Sequence, residues 1–249
     1  MSDDQPLLKN DVESGTNEPL YPTMMESPDL RWSFIRKIYT IVAIQLLLTV
    51  VVSAIVVSYS YHPVVIFVTT TRGGLACYIL IVLIPFITLC PLSCYYQSHP
   101  VNYVLLGIFT ITLAFAVGLS CAFTSGEVIL EAVILTAVVV VCLTLYTFWA
   151  AKRGHDFSFL RGFMISASIV FIVFTFIQIF FPLGRISLTI YSGLYAIIFG
   201  GYIAYDTDDL IKRYTYDEYI WASVVLYLDI VNLFLTLVRI LSRLVRRRR

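Results

Sequence analysis

The sequence predicts an all-α polytopic membrane protein, a bundle of seven helices. Three observations carry that prediction. Hydrophobic residues make up 59% of the 249 positions, and charged residues only 13%. Mean hydropathy is +0.86. Seven apolar runs each approach the roughly 20 residues needed to cross hydrocarbon. Short loops join these runs, which leaves no soluble domain for separate chemistry. A water-soluble fold of this size cannot hide so much apolar surface. The composition therefore excludes a soluble globular protein, a disordered chain and a nucleic-acid-binding module.

The elements follow in order. Residues 1–31 are rich in Asp, Glu, Pro and Ser, and are expected to form a disordered, acidic, cytosolic tail. Two sorting patterns lie in it, an acidic dileucine pattern at Asp3 to Leu8 and a tyrosine pattern at Tyr21 to Met24. Residues 32–240 form the seven-segment transmembrane domain, with spans near 34–59, 75–96, 101–123, 128–150, 160–181, 187–211 and 219–240. The first apolar run begins only near Phe34, so no cleavable signal peptide is expected. The second span carries Pro85 and Pro91, which should kink it. The fourth opens on Glu127 and Glu131, of which Glu131 is one turn deeper and a candidate for a pore vestibule. The sixth bears small residues at Gly193, Ala196, Gly200 and Ala204, with Gly201 beside them. That stripe predicts close packing, with the seventh segment as the expected neighbour. Residues 241–249 form a basic tail. The five cysteines lie in or beside apolar runs without zinc spacing, and read as small buried hydrophobes.

Orientation follows from the basic residues. Arg31, Arg36, Lys37, Lys152, Arg153, Arg161, Lys212 and Arg213 fall on one side if the chain threads regularly, while Arg72 and Arg185 face the other. The N-terminus is therefore expected in the cytosol. The six arginines among the last eleven residues oppose the pattern. Either the seventh segment crosses and leaves them outside, or it is re-entrant and returns them to the cytosol.

Carboxylates inside a bilayer cost roughly 2.5–3.5 kcal/mol each on insertion scales and are functional candidates by default. Asp229 lies ten residues beyond Tyr219, which at 1.5 Å per residue is about 15 Å deep. Asn232 stands one turn further and can donate a hydrogen bond, but no cation is within helical reach. Asp206 lies in the cytosolic quarter of span six. Its neighbours Asp208 and Asp209 have Lys212 and Arg213 four residues on, whereas Asp206 has Leu210. Close packing of spans six and seven brings Asp206 and Asp229 together. Such a pair would share a proton and act as a pH-sensitive gate. Opened, it is a hard-oxygen site suited to Ca²⁺. Gln45 and Gln178 read as interhelical glue. His155 and Asp156 read as loop and helix-cap residues, and His62 and His99, each before a proline, as turn residues.

The stretches AYDTDDLI and LYLDIVNLFLTLVRIL resemble the Bax inhibitor-1 superfamily, also called the TMBIM or Lifeguard family. LEAVILTAVVVVCLTLYTF followed by HDFSFLRG is similar to the Lifeguard branch, and YPTMMESPDLRWSFIRKIY to its plant members. The resemblance runs from about residue 21 to the end. It implies a seven-helix fold with the last segment at its centre. It also implies a pH-dependent Ca²⁺ leak across an intracellular membrane, most readily the endoplasmic reticulum, with suppression of programmed cell death, while the sorting patterns of the tail allow the vacuolar or plasma membrane. The family's di-acidic pH sensor falls on Asp206 and Asp229. Bacterial relatives carry an arginine near the end of the second helix that latches onto the sensor. Here that region reads CPLSCYYQSHP, without Lys or Arg, so the latch is absent or replaced weakly by Tyr95 or Gln97.

The expected partners are the bilayer, Ca²⁺ as permeant ion, protons and other membrane or cell-death regulators, with no nucleic acid and no cofactor. Three rivals remain. A seven-helix receptor lacks Asn-x-Ser/Thr sites and ligand-sized loops. An aspartyl intramembrane protease would match Tyr205–Asp206, but needs Gly-x-Gly-Asp where Tyr227–Leu228–Asp229 stands. No enzymatic activity is therefore expected. A non-conducting scaffold would bind cell-death regulators and be indifferent to Asp229→Asn.

Overall fold

The computed structural model describes residues 19–60, 66–67, 71–180 and 185–248. Seven long helices follow in order: α1 Pro28–Ser60, α2 Arg72–Tyr95, α3 Val101–Cys121, α4 Gly126–Lys152, α5 Leu160–Phe180, α6 Arg185–Lys212 and α7 Tyr219–Arg248. No strand occurs among the described residues. All seven helices are long and apolar enough to cross a membrane. Their apolarity explains their existence, because a chain in hydrocarbon must satisfy every backbone group within its own helix. The protein is an all-α polytopic membrane protein.

The seventh helix is the hub. It packs against α1, α3, α4 and α6. In the most apolar stretches of α3 and α7, 56% of residues are buried, against 11% in α2 and 12% in α5. The first two are interior, and the others turn most of their surface outward. Fully buried Ile220, Val224 and Tyr227 mark the inner face of α7. The spacings of three and four repeat the helical period.

α7 is one unbroken helix of 30 residues, about 45 Å long. Near its end Arg243 donates through Nη1 to the Leu188 carbonyl at 2.6 Å. Leu188 stands near the start of α6, so the two helices run antiparallel along their length. The last segment does not turn back on itself: it is a single helix, long and apolar enough to cross. Residues 241–248 continue the helix rather than forming a separate tail, because Leu241 still packs on the core.

The N-terminal boundary also shifts. The dileucine pattern at Asp3 to Leu8 and His62 lie outside the described residues. Residues 19–27, expected within the tail, pack on the bundle instead. Leu20 is buried, and Tyr21 and Met24 lie against the core. Three apolar side chains in a polar segment give it surface to bury. The tyrosine pattern is thus folded into a turn, closed by the Met24 amide on the Tyr21 carbonyl at 3.2 Å.

The glycines of α6 do not meet α7. A Cβ on Gly193 would find no atom within 4 Å, and one on Gly200 would meet only Leu143 of α4, at 3.5 Å. Gly201 faces Met164 of α5, whose Cε would lie 2.9 Å away. The stripe fixes a face of the helix, and that face turns toward α4 and α5. Close backbone approach occurs elsewhere. A Cβ on Gly118 of α3 would lie 2.8 Å from Val56 Cβ and 3.0 Å from Ser53 Cα. The Ser53 hydroxyl bridges the same crossing, donating to the Ala114 carbonyl at 2.9 Å. α2 runs through Pro85 and Pro91 without ending.

These contacts set opposite outcomes for two glycine substitutions. Gly118→Ala forces Val56 and the α1 backbone apart and is expected to cost about 1–3 kcal/mol. Gly193→Ala has open space and improves helix propensity, so it is expected to be neutral or stabilising by up to about 1 kcal/mol. Thermal melting of both variants in one detergent checks the pair.

Candidate functional site

Asp206 and Asp229 meet between α6 and α7. They are 9% and 8% exposed, and their carboxyl groups interact directly. Helical geometry puts them there. Asp206 shares the inward face of α6 with Ile203 and Leu210, and Asp229 that of α7 with Leu226 and Leu233, all four essentially buried. Asp229 Oδ2 is sealed from solvent and has no hydrogen-bond partner among the described residues. A buried oxygen in that state requires a proton, a water or a cation.

The pair alone does not fit a resident metal ion. Ca²⁺ takes six to eight oxygen ligands. No group of three or more His, Cys, Asp or Glu side chains suited to a metal occurs among the described residues. Two carboxylates suit a proton or an ion in passage.

One turn toward the loop, the acidic residues change character. Lys212 Nζ lies 2.5 Å from Asp208 Oδ1, and Arg213 Nη1 lies 2.7 Å from Asp209 Oδ1. Both are pairs at a spacing of four, as the sequence predicts. Arg161 at the start of α5 adds a second tie. Its Nε donates to the Tyr205 hydroxyl at 2.5 Å, and its Nη2 to Asp209 Oδ2 at 3.3 Å. Arg161 is thereby a basic group tied to Tyr205 and Asp209, the near neighbours of Asp206 on α6. Tyr95 and Gln97 do not take that role. Tyr95 is 53% exposed, and Gln97 donates to the Tyr96 hydroxyl at 3.3 Å. The Tyr96 ring lies tilted beside Trp221, with centroids 6.4 Å apart, near the start of α7 and eight residues from Asp229.

A cover lies over this end. The Tyr214 hydroxyl is pushed up by burial and, secondarily, by the Asp206 and Asp209 carboxylates. It therefore stays protonated above them. Arg31 fixes the Tyr214 backbone. This arginine is only 2% exposed and donates through Nη1 to the Tyr214 carbonyl at 2.6 Å. Its guanidinium also lies over the rings of Phe34 and Tyr216, at 5.5 and 5.7 Å. Glu26 receives the Tyr216 hydroxyl at 2.7 Å and lies 3.9 Å from Arg31 Nε. Residues 19–31 thereby strap the α6–α7 turn to α1. Sequence reasoning treated Arg31 as a flanking charge, because its partner is 183 positions away.

The remaining candidates separate from the pair. Glu131 sits exposed on α4. Asn232 is half-buried, and its carbonyl accepts the Thr236 hydroxyl at 2.7 Å. No hydrogen bond joins its side chain to Asp229 among the described residues. Gln45 links α1 to α3 through the Thr110 hydroxyl at 3.0 Å, as expected of interhelical glue. Two residues before Asp229, the fully buried Tyr227 hydroxyl bonds Thr49 at 2.6 Å. Asp156 caps its loop as expected, accepting from the Ser158 amide and hydroxyl.

The family model described as "Inhibitor of apoptosis-promoting Bax1" matches residues 31–246. The chain belongs to the Bax inhibitor-1 superfamily. Within it, the chain falls in the Lifeguard branch. It is 66% identical to Protein LIFEGUARD 2 of Arabidopsis thaliana, over 94% of this chain and 96% of the relative. It is 32% identical to Bax inhibitor 1 of Schizosaccharomyces pombe, over 93% and 87%. The Golgi anti-apoptotic protein of vaccinia virus (strain Lister) is also 32% identical, over 87% of each chain. The family match thus spans all seven helices, including the whole carboxylate site of this Lifeguard-branch chain.

Two measurements test the frame around the site. Arg31→Ala removes a buried charged hydrogen bond and should destabilise the protein by about 1.5–3 kcal/mol in thermal or denaturant unfolding. Asp156 titrates below the ordinary carboxylate range, chiefly through the Ser158 hydroxyl, with Arg213 and Lys212 assisting. A lowered folded-state value stabilises above the unfolded value and is lost as pH falls through the folded one. Asp156→Asn should therefore reduce stability at neutral pH and match wild type only in acid strong enough to protonate the folded-state carboxylate.

Proposed function

We propose that this chain is a pH-regulated Ca²⁺ leak of the endoplasmic reticulum membrane and that it restrains programmed cell death. Family membership and the relatives' names, Bax inhibitor 1 and Golgi anti-apoptotic protein, support the cell-death role. The observation that carries the leak reading is the sealed, unpartnered Oδ2 of Asp229 facing Asp206 at the hub of the bundle.

In the closed state the two carboxyl groups share one proton, since two adjacent charges in so little water repel strongly. Loss of that proton sets like charges against each other across the α6–α7 contact. The helices separate, and the freed oxygens offer a hard-ligand path to Ca²⁺. Arg161 takes the part of the basic group that the 95–100 loop lacks. It holds Tyr205 and Asp209, which flank Asp206, and so sets the rest position of the gate. The basic end of the bundle, with Arg31, Lys152, Arg161 and Lys212, faces the cytosol. The strap of residues 19–31 lies on that side.

The test is Ca²⁺ flux into proteoliposomes across pH. Flux through the wild type should rise as the pair loses its proton. Asp229→Asn should lose or shift that dependence, and Asp206→Asn/Asp229→Asn should abolish it. Identical pH profiles for wild type and double variant would overturn the gate. Absence of flux at every pH would overturn conduction and leave a scaffold that works through protein partners.

A further inference from the structure

At the end of the bundle remote from the carboxylate pair, a cavity of about 250 Å³ opens between α3 and α7. Its charged lining is entirely cationic. Arg239 and Arg243 of α7 face it, together with the hydroxyl residues Ser120, Thr124 and Ser242, and Phe123 forms part of the apolar wall. No carboxylate is among its lining residues. Arg239 is exposed and has neither ion pair nor hydrogen bond among the described residues. Arg243 is anchored by Nη1 alone, to the Leu188 carbonyl at 2.6 Å and the Ser192 hydroxyl at 2.9 Å. The rest of its fork has no partner among the described residues. The two arginines stand one turn apart and repel each other. Two guanidiniums beside three hydroxyls, uncompensated, form the donor set that binds phosphate oxygens.

Depth identifies the source of the phosphate. Arg239 lies twenty residues beyond Tyr219, which is about 30 Å along the helix axis, the thickness of the hydrocarbon. The cavity therefore sits at headgroup level, with Leu235 of its apolar wall one turn nearer the bilayer centre. Guanidiniums at this level meet headgroup phosphates, which their planar fork grips through paired hydrogen bonds. We propose that this cavity holds the phosphate of an anionic phospholipid, gripped by Arg239 and Arg243 with Thr124. Ser120 and Ser242 donate to the Ala116 and Val238 carbonyls and contribute after rotating. The site is independent of the gate and of the leak.

The experiment uses the full chain in uncharged detergent micelles, doped with phosphatidic acid or phosphatidylcholine, or mixed with inorganic phosphate. Thermal melting and native mass spectrometry read binding. Phosphatidic acid should raise Tm and remain bound in the spectrometer, while phosphatidylcholine should do neither. Arg239→Gln and Thr124→Val should each weaken the apparent affinity roughly tenfold. Their lipid-free Tm should match wild type, since both side chains reach the surface. Arg36→Gln, an exposed cation at the other end, should bind as wild type does. Equal weakening by Arg36→Gln would assign the effect to bulk charge and overturn the site. Equal stabilisation by inorganic phosphate would make the ligand a free anion and overturn the lipid. So would equal binding of both lipids.

Discussion

Two carboxyl groups pressed together where water does not reach impose the main constraint on this bundle. Each is expensive to bury, and together they oppose the packing of α6 on α7 unless a proton lies between them. That contact must therefore be held by everything around it. Asp229 sits on the hub helix, whose inner face is closed by Ile220, Val224, Leu226 and Leu233. Tyr227 ties the same stretch to α1 through Thr49. The apolar shell supplies the stability, and the acidic pair is the costly element within it.

The two rims solve different problems. At the Asp206 end, ion pairs at a spacing of four and the Arg161 bridge convert three closely spaced aspartates into two neutralised ones and one isolated one. The isolation of Asp206 is thus a product of its neighbours' pairing. At the other rim Arg243 finds a carbonyl and a hydroxyl instead of acids, and Arg239 finds no partner among the described residues. Cationic surplus accumulates there because no acidic side chain lines the α3–α7 cavity.

The spans and the pair were legible because both rest on local rules. A run of about twenty apolar residues has few fates, and Asp206 and Asp229 stood out because no cation lay within helical reach of either. What escaped is what depends on the identity of a neighbour. The spacing of the α6 glycines marks a small-residue face, but spacing cannot say that this face meets α4, α5 or open space rather than α7. Gly118, lone in its helix turn, carried no pattern, although it stands at the closest crossing of α1 and α3. Arg31 read as an orientation signal, and its burial under Tyr214 and Tyr216 follows from tertiary closure. Residues 19–27 looked too polar to fold, yet three apolar side chains sufficed to dock them.

The fastening of α7 restricts how it can move. At one end the Lys37 ammonium lies 3.2 Å from the centre of the Tyr219 ring, and the Tyr219 hydroxyl meets His99 Nε2 at 2.9 Å. At the other end Arg243 grips the start of α6. Sliding along the membrane normal would break both fastenings and drag a guanidinium into hydrocarbon. The helix is unsuited to act as a piston. Rolling about its own axis keeps each end at its depth while swinging Asp229 sideways through an arc, away from Asp206. For the proposed gate, the fastened ends favour rotation of α7 over translation.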